Sequence, residues 1–208
     1  MEDVLEVYGR PYDPRFPQVN FDEGSLQFQK ELREALPMES GKIKREDYEY
    51  KREGWCNIFL ACEPLAGKRY TEVREQRTKK DFAFFLRNLV DLQYPDAEKI
   101  VLVMDNLNTH TPASLYAVFP PAEAMRIWKK LEIHYTPKHG SWLNMAEIEL
   151  SVLGRQNLGG RIPDIHEARK RVSEWQEKRN KQQAKVNWRF TSQDARIRLT
   201  RLYPSIEV

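Results

Sequence analysis

Short apolar runs alternate along the chain with charged, turn-rich stretches, and their spacing predicts an ordered series of strands and helices. A short helix over Glu2–Tyr8 is followed by Pro11, Pro14 and Pro17, which block helix up to residue 18. Val19–Asp22 reads as the first core strand, with Ser25–Ala35 as an irregular lead-out. Pro37–Lys51 is charged and reads equally as a loop or an edge ribbon, its Lys42, Lys44 and Arg45 lying near Tyr48 and Tyr50. Trp55–Cys62 (WCNIFLAC) is strongly apolar, and Lys68–Arg74 (KRYTEVR) alternates as a half-buried strand should. With the turn EPLAG between them, these strands and the first predict an antiparallel meander.

The second half changes period. Thr78 and Asp81 form a capping box that opens a helix with Phe82, Phe85, Leu86 and Leu89 on one face. Ile100–Met104 is a buried strand; Pro112–Phe119 and Pro121–Lys130 are helical, each with Pro near its start. Leu131–Tyr135 closes the sheet, and Ser141–Gln156 is a helix. The order β-β-β-α-β-α-β-α is that of an α/β mixed sheet with helices on both faces, over residues 1–156. Residues 157–208 extend the same domain: a glycine-containing break, NLGGRIP, then Asp164 capping a long helix with Ile165, Ala168, Val172 and Trp175 on one stripe, then an aromatic and arginine-bearing tail.

Composition narrows the classes. A chain of 208 residues, 40% hydrophobic and 31% charged, is one globular domain. No apolar run approaches the roughly 18 residues a membrane helix needs, and the acidic N-terminus has no secretory core. Cys56 and Cys62 are too few for a disulfide framework and fall in an apolar strand, so they read as buried thiols of a reducing cytoplasm. The net charge of +3 hides an asymmetry. From Leu150 onward thirteen Lys/Arg face six Asp/Glu, a net +7, which leaves −4 for the residues before it. That split suggests a polyanion for the C-terminal part, or else a solvated helix face. No Walker-type glycine loop, Gly-x-Ser-x-Gly or Cys/His zinc spacing is present, so nothing supports nucleotide hydrolysis, esterase or zinc chemistry.

What remains is carboxylate chemistry. Asp105 ends the Ile100–Met104 strand, and Glu147 rides the helix after Leu131–Tyr135. Acids at two such junctions are what a hard divalent cation needs, although one Asp after a strand also serves as a turn or cap residue. Asp105-Asn106 with His110, followed by Asn144 and Glu147 in TPKHGSWLNMAE, resembles the catalytic core of insertion-sequence transposases of the mariner superfamily. In that family a second acid lies in Asp-Asn-x-x-x-His and a third in Asn-x-x-Glu. The first acid ends an early strand, where VNFDEG offers Asp22; Gly24 stands where the family pattern carries Lys.

The resemblance implies an RNase H-like fold in which Asp22, Asp105 and Glu147 are the catalytic residues and metal ligands. It implies two Mg²⁺ or Mn²⁺ ions per site. The implied activity is cleavage at transposon ends and transfer of the freed 3′-hydroxyl to target DNA, at a TA dinucleotide, by a homodimer on DNA in the bacterial cytoplasm, associated with the nucleoid. Asn106 and His110 are accessory candidates: the histidine either orients a phosphate or carboxylate, or is a hydrogen-bonded loop residue. Lys138, His139, Arg169, Arg171 and Lys178 are candidate DNA contacts. Two other readings stay open, a stand-alone RNase H-like nuclease and a truncated, non-catalytic DNA-binding or dimerising remnant. Helix-turn-helix segments of the family are not visible before Met1, which suits a separate catalytic domain, a split-gene product or a remnant. Periodicity alone does not choose between Glu147 and Glu149 as third acid. The motif chooses Glu147, and on this reading Glu149→Gln keeps most activity.

Overall fold

The computed structural model describes residues 1–31, 50–138 and 140–203. At its centre is a five-stranded sheet of β1 (Gln18–Glu31), β2 (Tyr50–Glu63), β3 (Lys68–Arg74), β4 (Ile100–Met104) and β5 (Leu131–Tyr135), in the order β3-β2-β1-β4-β5. The meander β1-β2-β3 is antiparallel as expected, while β4 and β5 run parallel to β1. β4 is apolar at every position because both its faces are covered, and all five of its residues are buried.

Strand alternation divides the core in two. Val19, Phe21, Phe59 and Leu102 point to the side covered by α2 (Lys79–Asn88), α3 (Pro112–Tyr116) and α4 (Pro121–Lys129). Ile58, Leu60, Val101 and Val103 point to the side covered by α1 (Glu2–Gly9), α5 (Met145–Gln156) and α6 (Ile165–Lys181). Cys62 and Cys56 are buried free thiols. The capping box at Thr78 and Asp81 is formed, and the helix runs on into a wide turn over Leu89–Gln93.

Several boundaries differ from the sequence reading. β1 does not fray after Asp22 but continues to Glu31, paired with a β2 that begins at Tyr50 rather than Trp55. A register shift between Gln27 and Gln29 bends this two-stranded extension. Phe28 and Cys56 are then buried against Ile162 and Ala168, and the Gln29 amide donates to the Ile162 carbonyl at 2.8 Å. The alternation Leu26, Phe28 carried this signal; its partner strand lay too far along the chain to be seen. Residues 32–35 of the expected lead-out, and 37–49 of the loop or ribbon, lie outside the described residues.

The expected helix Ser141–Gln156 is broken: a single tight turn over Ser141–Leu143 gives way to Asn144, which caps α5. Asp164 caps α6 by accepting from the His166 and Glu167 amides, each at 2.9 Å. α6 lies along β3, burying Ala168, Val172 and Trp175. In the β2–β3 turn Gly67 has φ +73°, and a Cβ there would stand 2.5 Å from the backbone of Gln183, so glycine is required twice over. The tail contains a seventh helix, α7 (Ser192–Arg198), opened by a second capping box at Thr191 and Asp194. Arg196 on this helix pairs with Glu2 of α1 at 2.6 Å.

Candidate active site

β1 and β4 bring the first two acids together. Their parallel register ends with Asn20 beside Val103, and Asp22 and Asp105, the first residue past β4, each lie two residues further along in the same direction. Alternation sends Phe21 into the α2 side and Asp22 to the α5 side. Asp22 is partly buried and its carboxyl is pushed up to about 7, first by burial and then by the charges of Asp105 and Glu147, despite a hydrogen bond from the Glu23 amide. The charges of Asp105 and Glu147 acting on Asp22 place the three acids within electrostatic reach of one another.

Glu147 reaches them from the third position of α5, and the start of that helix is bonded to β1. The Asn144 side-chain oxygen accepts the Ala146 amide at 3.1 Å, and its NH₂ donates to the Phe21 carbonyl at 2.9 Å. The Tyr8 hydroxyl donates to the Leu143 carbonyl at 2.6 Å, and the Met145 amide donates to the Asn20 side chain at 3.4 Å. A cap, a strand and a terminal helix thereby converge on the residues flanking Asp22 and Glu147. Helix N-termini also favour a carboxylate.

Glu149 has a different occupation. Only 1% exposed, it takes Arg69 bidentately at 2.7 and 3.0 Å and Arg179 at 2.8 and 3.1 Å. Glu149 is thus engaged by the two arginines, while it is the charge of Glu147 that acts on Asp22. The buried stripe of α5 is Met145, Ala146, Glu149 and Leu153, so this acid sits on the core face by virtue of its two arginines.

His110 is fully buried. Its Nδ1 is 2.5 Å from Asp105 Oδ1 and its Nε2 is 3.1 Å from Glu23 Oε1. Burial disfavours charge on this ring, but hydrogen bonds to the two carboxylates outweigh it and raise the pKa to about 9. Both nitrogens then donate, as an imidazolium requires. Phe21 and Phe82 flank the ring at 5.2 and 4.6 Å, and the Tyr135 hydroxyl donates to its carbonyl at 2.8 Å. Glu23 was not singled out from sequence. Next to Asp22 on a strand it points to the opposite face, where it meets the histidine instead of the other acids.

The remaining candidates are dispersed. Asn106 is exposed just after Asp105, and Lys138 is exposed in the loop after β5; His139 lies outside the described residues. Arg169 and Lys178 are exposed on α6, which packs on β3 at the far edge from β5. Arg169 donates to the Val73 carbonyl at 3.3 Å. Arg171 is held by Glu167 at 2.6 Å and by the Gly159 and Arg161 carbonyls at 3.0 and 3.4 Å, bracing the glycine break. The structure thus gathers Asp22, Asp105, Glu147 and His110 and leaves the three α6 cations apart from them.

The donor set at the centre, carboxylate oxygens that repel one another, suits a hard divalent cation. Among the described residues no three His, Cys, Asp or Glu side chains already form a closed ligand cage.

A sheet of this order, with one acid on β1, a second just past the parallel strand β4 and a third on a helix, defines an RNase H-like fold. The chain belongs to the DDE superfamily endonuclease family, whose profile matches residues 17–169. No curated protein matches the sequence. Among solved structures, the Mos1 mariner paired end complex with Mn is similar with a TM-score of 0.60 at 16% identity, over 87% of this chain and 54% of that one. The Mos1 strand transfer complex gives 0.57 at 15%, over 86% and 54%, and the Mos1 paired-end complex with left transposon end gives 0.56 at 14%, over 90% and 62%. The same Mos1 paired end complex has also been solved with Mg. At these identities the likeness is one of fold, and the chain spans a little over half the length of those proteins.

Proposed function

We propose that the chain is the catalytic domain of a DNA transposase that cuts transposon ends and joins the freed 3′-hydroxyl to target DNA. The observation that carries this reading is the shared neighbourhood of Asp22, Asp105 and Glu147 in a chain of the DDE endonuclease family. Asp22, Asp105 and Glu147 would hold two Mg²⁺ or Mn²⁺ ions. Such ions, when bound, activate the attacking hydroxyl and stabilise the leaving oxygen at phosphorus.

The chain's own work is positioning. His110 engages Asp105 Oδ1 through Nδ1 while Glu23 holds its Nε2, so the histidine, braced from behind, fixes the carboxylate's orientation. Asn144 fixes Glu147 against the strand that carries Asp22. Asp22, its carboxyl pushed up to about 7 by burial, is part-protonated near neutral pH, and positive charge arriving at the site favours release of that proton, which couples ligand binding to deprotonation. Lys138, exposed in the loop after β5, extends the site toward a phosphate backbone, and the net +7 C-terminal part, with Arg169 and Lys178, adds weak, salt-sensitive attraction. A homodimer on DNA, a TA target and a nucleoid-associated cytoplasmic location complete the reading; Mos1 is seen in paired-end and strand-transfer complexes.

The test is incubation with labelled linear DNA and Mn²⁺, with and without EDTA. Nicks and joined products that vanish in EDTA are expected. Nicks without joining would instead indicate a stand-alone nuclease, binding without nicks a non-catalytic remnant, and undiminished nicking in EDTA would remove the metal-dependent reading altogether.

A further inference from the structure

We infer that Trp142 is a stacking platform for an unpaired nucleobase beside the acidic centre, an inference that rests on the DNA-cleavage reading above. Trp142 lies in the turn Ser141–Leu143, two residues before the cap Asn144 and five before Glu147. It is 42% exposed, an indole presented to water at the entrance of the helix that carries the third acid.

Its covered side is rigidly backed. Trp188 stacks on it with ring centres 6.3 Å apart and planes within 19°, and Phe190 meets it edge-on at 5.7 Å. Trp188 is itself fixed, its indole N–H donating to the Phe190 carbonyl at 2.7 Å and its ring packing on Tyr8 at 5.1 Å. Tyr8 in turn donates to the carbonyl of Leu143, the neighbour of Trp142. The result is a tier of rings, Tyr8, Trp188 and Trp142, in which the outermost has its rotamer held before any ligand arrives. A preordered aromatic face loses little entropy on binding.

The surroundings specify the ligand class. Lys138, four residues before Trp142, and Arg189, between Trp188 and Phe190, are exposed, and neither forms an ion pair among the described residues. Cations around an open ring suit a phosphodiester strand whose base stacks on the ring, and every base offers such a face. Within a duplex both faces of a base are already stacked, so the platform suits an overhang, a frayed end or an extruded base next to the phosphate at the acids. A purely structural Trp142, serving only to dock the tail, would leave DNA of either kind bound alike.

The experiment uses the full chain in EDTA, so that binding is read without cleavage, with duplexes that are blunt or carry a short overhang containing 2-aminopurine. Binding should quench the 2-aminopurine. Trp142→Ala should abolish the quench and weaken overhang binding roughly 5- to 100-fold, the range of one base–aromatic stack, while blunt-duplex affinity stays the same. Trp142→Phe should retain most of the quench, and Trp142→Leu, which keeps the bulk without the π face, should not. Full quenching by Trp142→Ala or Trp142→Leu, or equal losses on blunt and overhang DNA, would overturn the platform. Cleavage with Mn²⁺ is scored separately. Stacking without cleavage leaves the platform standing and removes the transposase reading, cleavage without stacking does the reverse, and failure to bind either DNA overturns both.

Discussion

Asp22 is held at a cost. Its pKa is about 7 in the fold against 3.8 for an ordinary Asp, so the unfolded chain gives up that proton more easily than the folded one. With the folded value raised, its contribution to stability is fully present below pH 3.8 and is lost as pH rises through 7. Asp22→Asn should therefore stabilise the metal-free protein at pH 8 by about 1–3 kcal/mol, read by urea unfolding in EDTA. The gain should shrink toward zero near pH 4, and Mn²⁺ should stabilise the parent chain but not the variant. Glu147 and Glu149 separate more sharply than the sequence reading expected. Glu147→Gln should abolish nicking with little change in melting temperature. Glu149→Gln no longer counts as a mild change: it removes charge from between two arginines and should cost on the order of 3 kcal/mol, lowering the melting temperature and, through it, activity at assay temperature. At this scale the grouping of Asp105, Glu147 and His110 around Asp22 was legible from local motifs. Glu23 was not, because its role depends on a histidine 87 residues away that only the sheet brings near.

At the scale of elements, the start of α5 is the hinge between fold and chemistry. Its cap reads in the sequence as an Asn three residues before a Glu. That the same Asn also ties the helix to the strand of the first acid does not, since the second bond runs 123 residues back to Phe21. The two bonds can be separated by substitution. Asn144→Asp keeps a capping oxygen but loses the NH₂ donor to the Phe21 carbonyl, whereas Asn144→Ala loses both. Asn144→Ala should cost about 1–2 kcal/mol. Asn144→Asp should retain the larger part of that stability yet still show reduced turnover, measured as single-turnover nicking under saturating DNA. Equal activity of Asn144→Asp and the parent would show that the tie to β1 does not position Glu147. Elements with strong periodicity, such as Lys68–Arg74, Ile100–Met104 and Leu131–Tyr135, matched their expected bounds. Those fixed by long-range pairing, such as β1 beyond Asp22, did not, because a polar strand is stabilised by its partner and not by its own pattern.

Over the whole molecule, the C-terminal extension is built into the fold instead of trailing from it. α6 contributes Asn180, whose side chain bonds the Arg69 backbone in both directions at 2.7 and 2.8 Å, and Arg179, which helps neutralise Glu149. The tail returns to α1 through Arg196, Glu2 and the hydroxyl of Tyr203, and those bonds hold the Glu2 carboxyl down to about 2. The charge split read from the sequence thus serves two ends: part of the basic excess neutralises internal acids, and Lys178 and Arg189 remain exposed for a polyanion, with Lys138 before the split adding to them. DNA affinity should accordingly fall steeply between low and physiological salt, and in a salt titration Lys178→Ala should reduce the slope by at most about one ion. A salt-independent, sequence-selective affinity would place recognition elsewhere. The strand at the middle of the molecule carries a last consequence. β1 sends Phe21 into one core, Asp22 to the acids and Glu23 to the histidine on three successive residues. A one-residue insertion or deletion upstream in that strand would exchange the faces of all three at once. Such a frame-preserving slip cannot silence the acidic centre and spare the fold: a chain inactivated in this way would also be an unstable one.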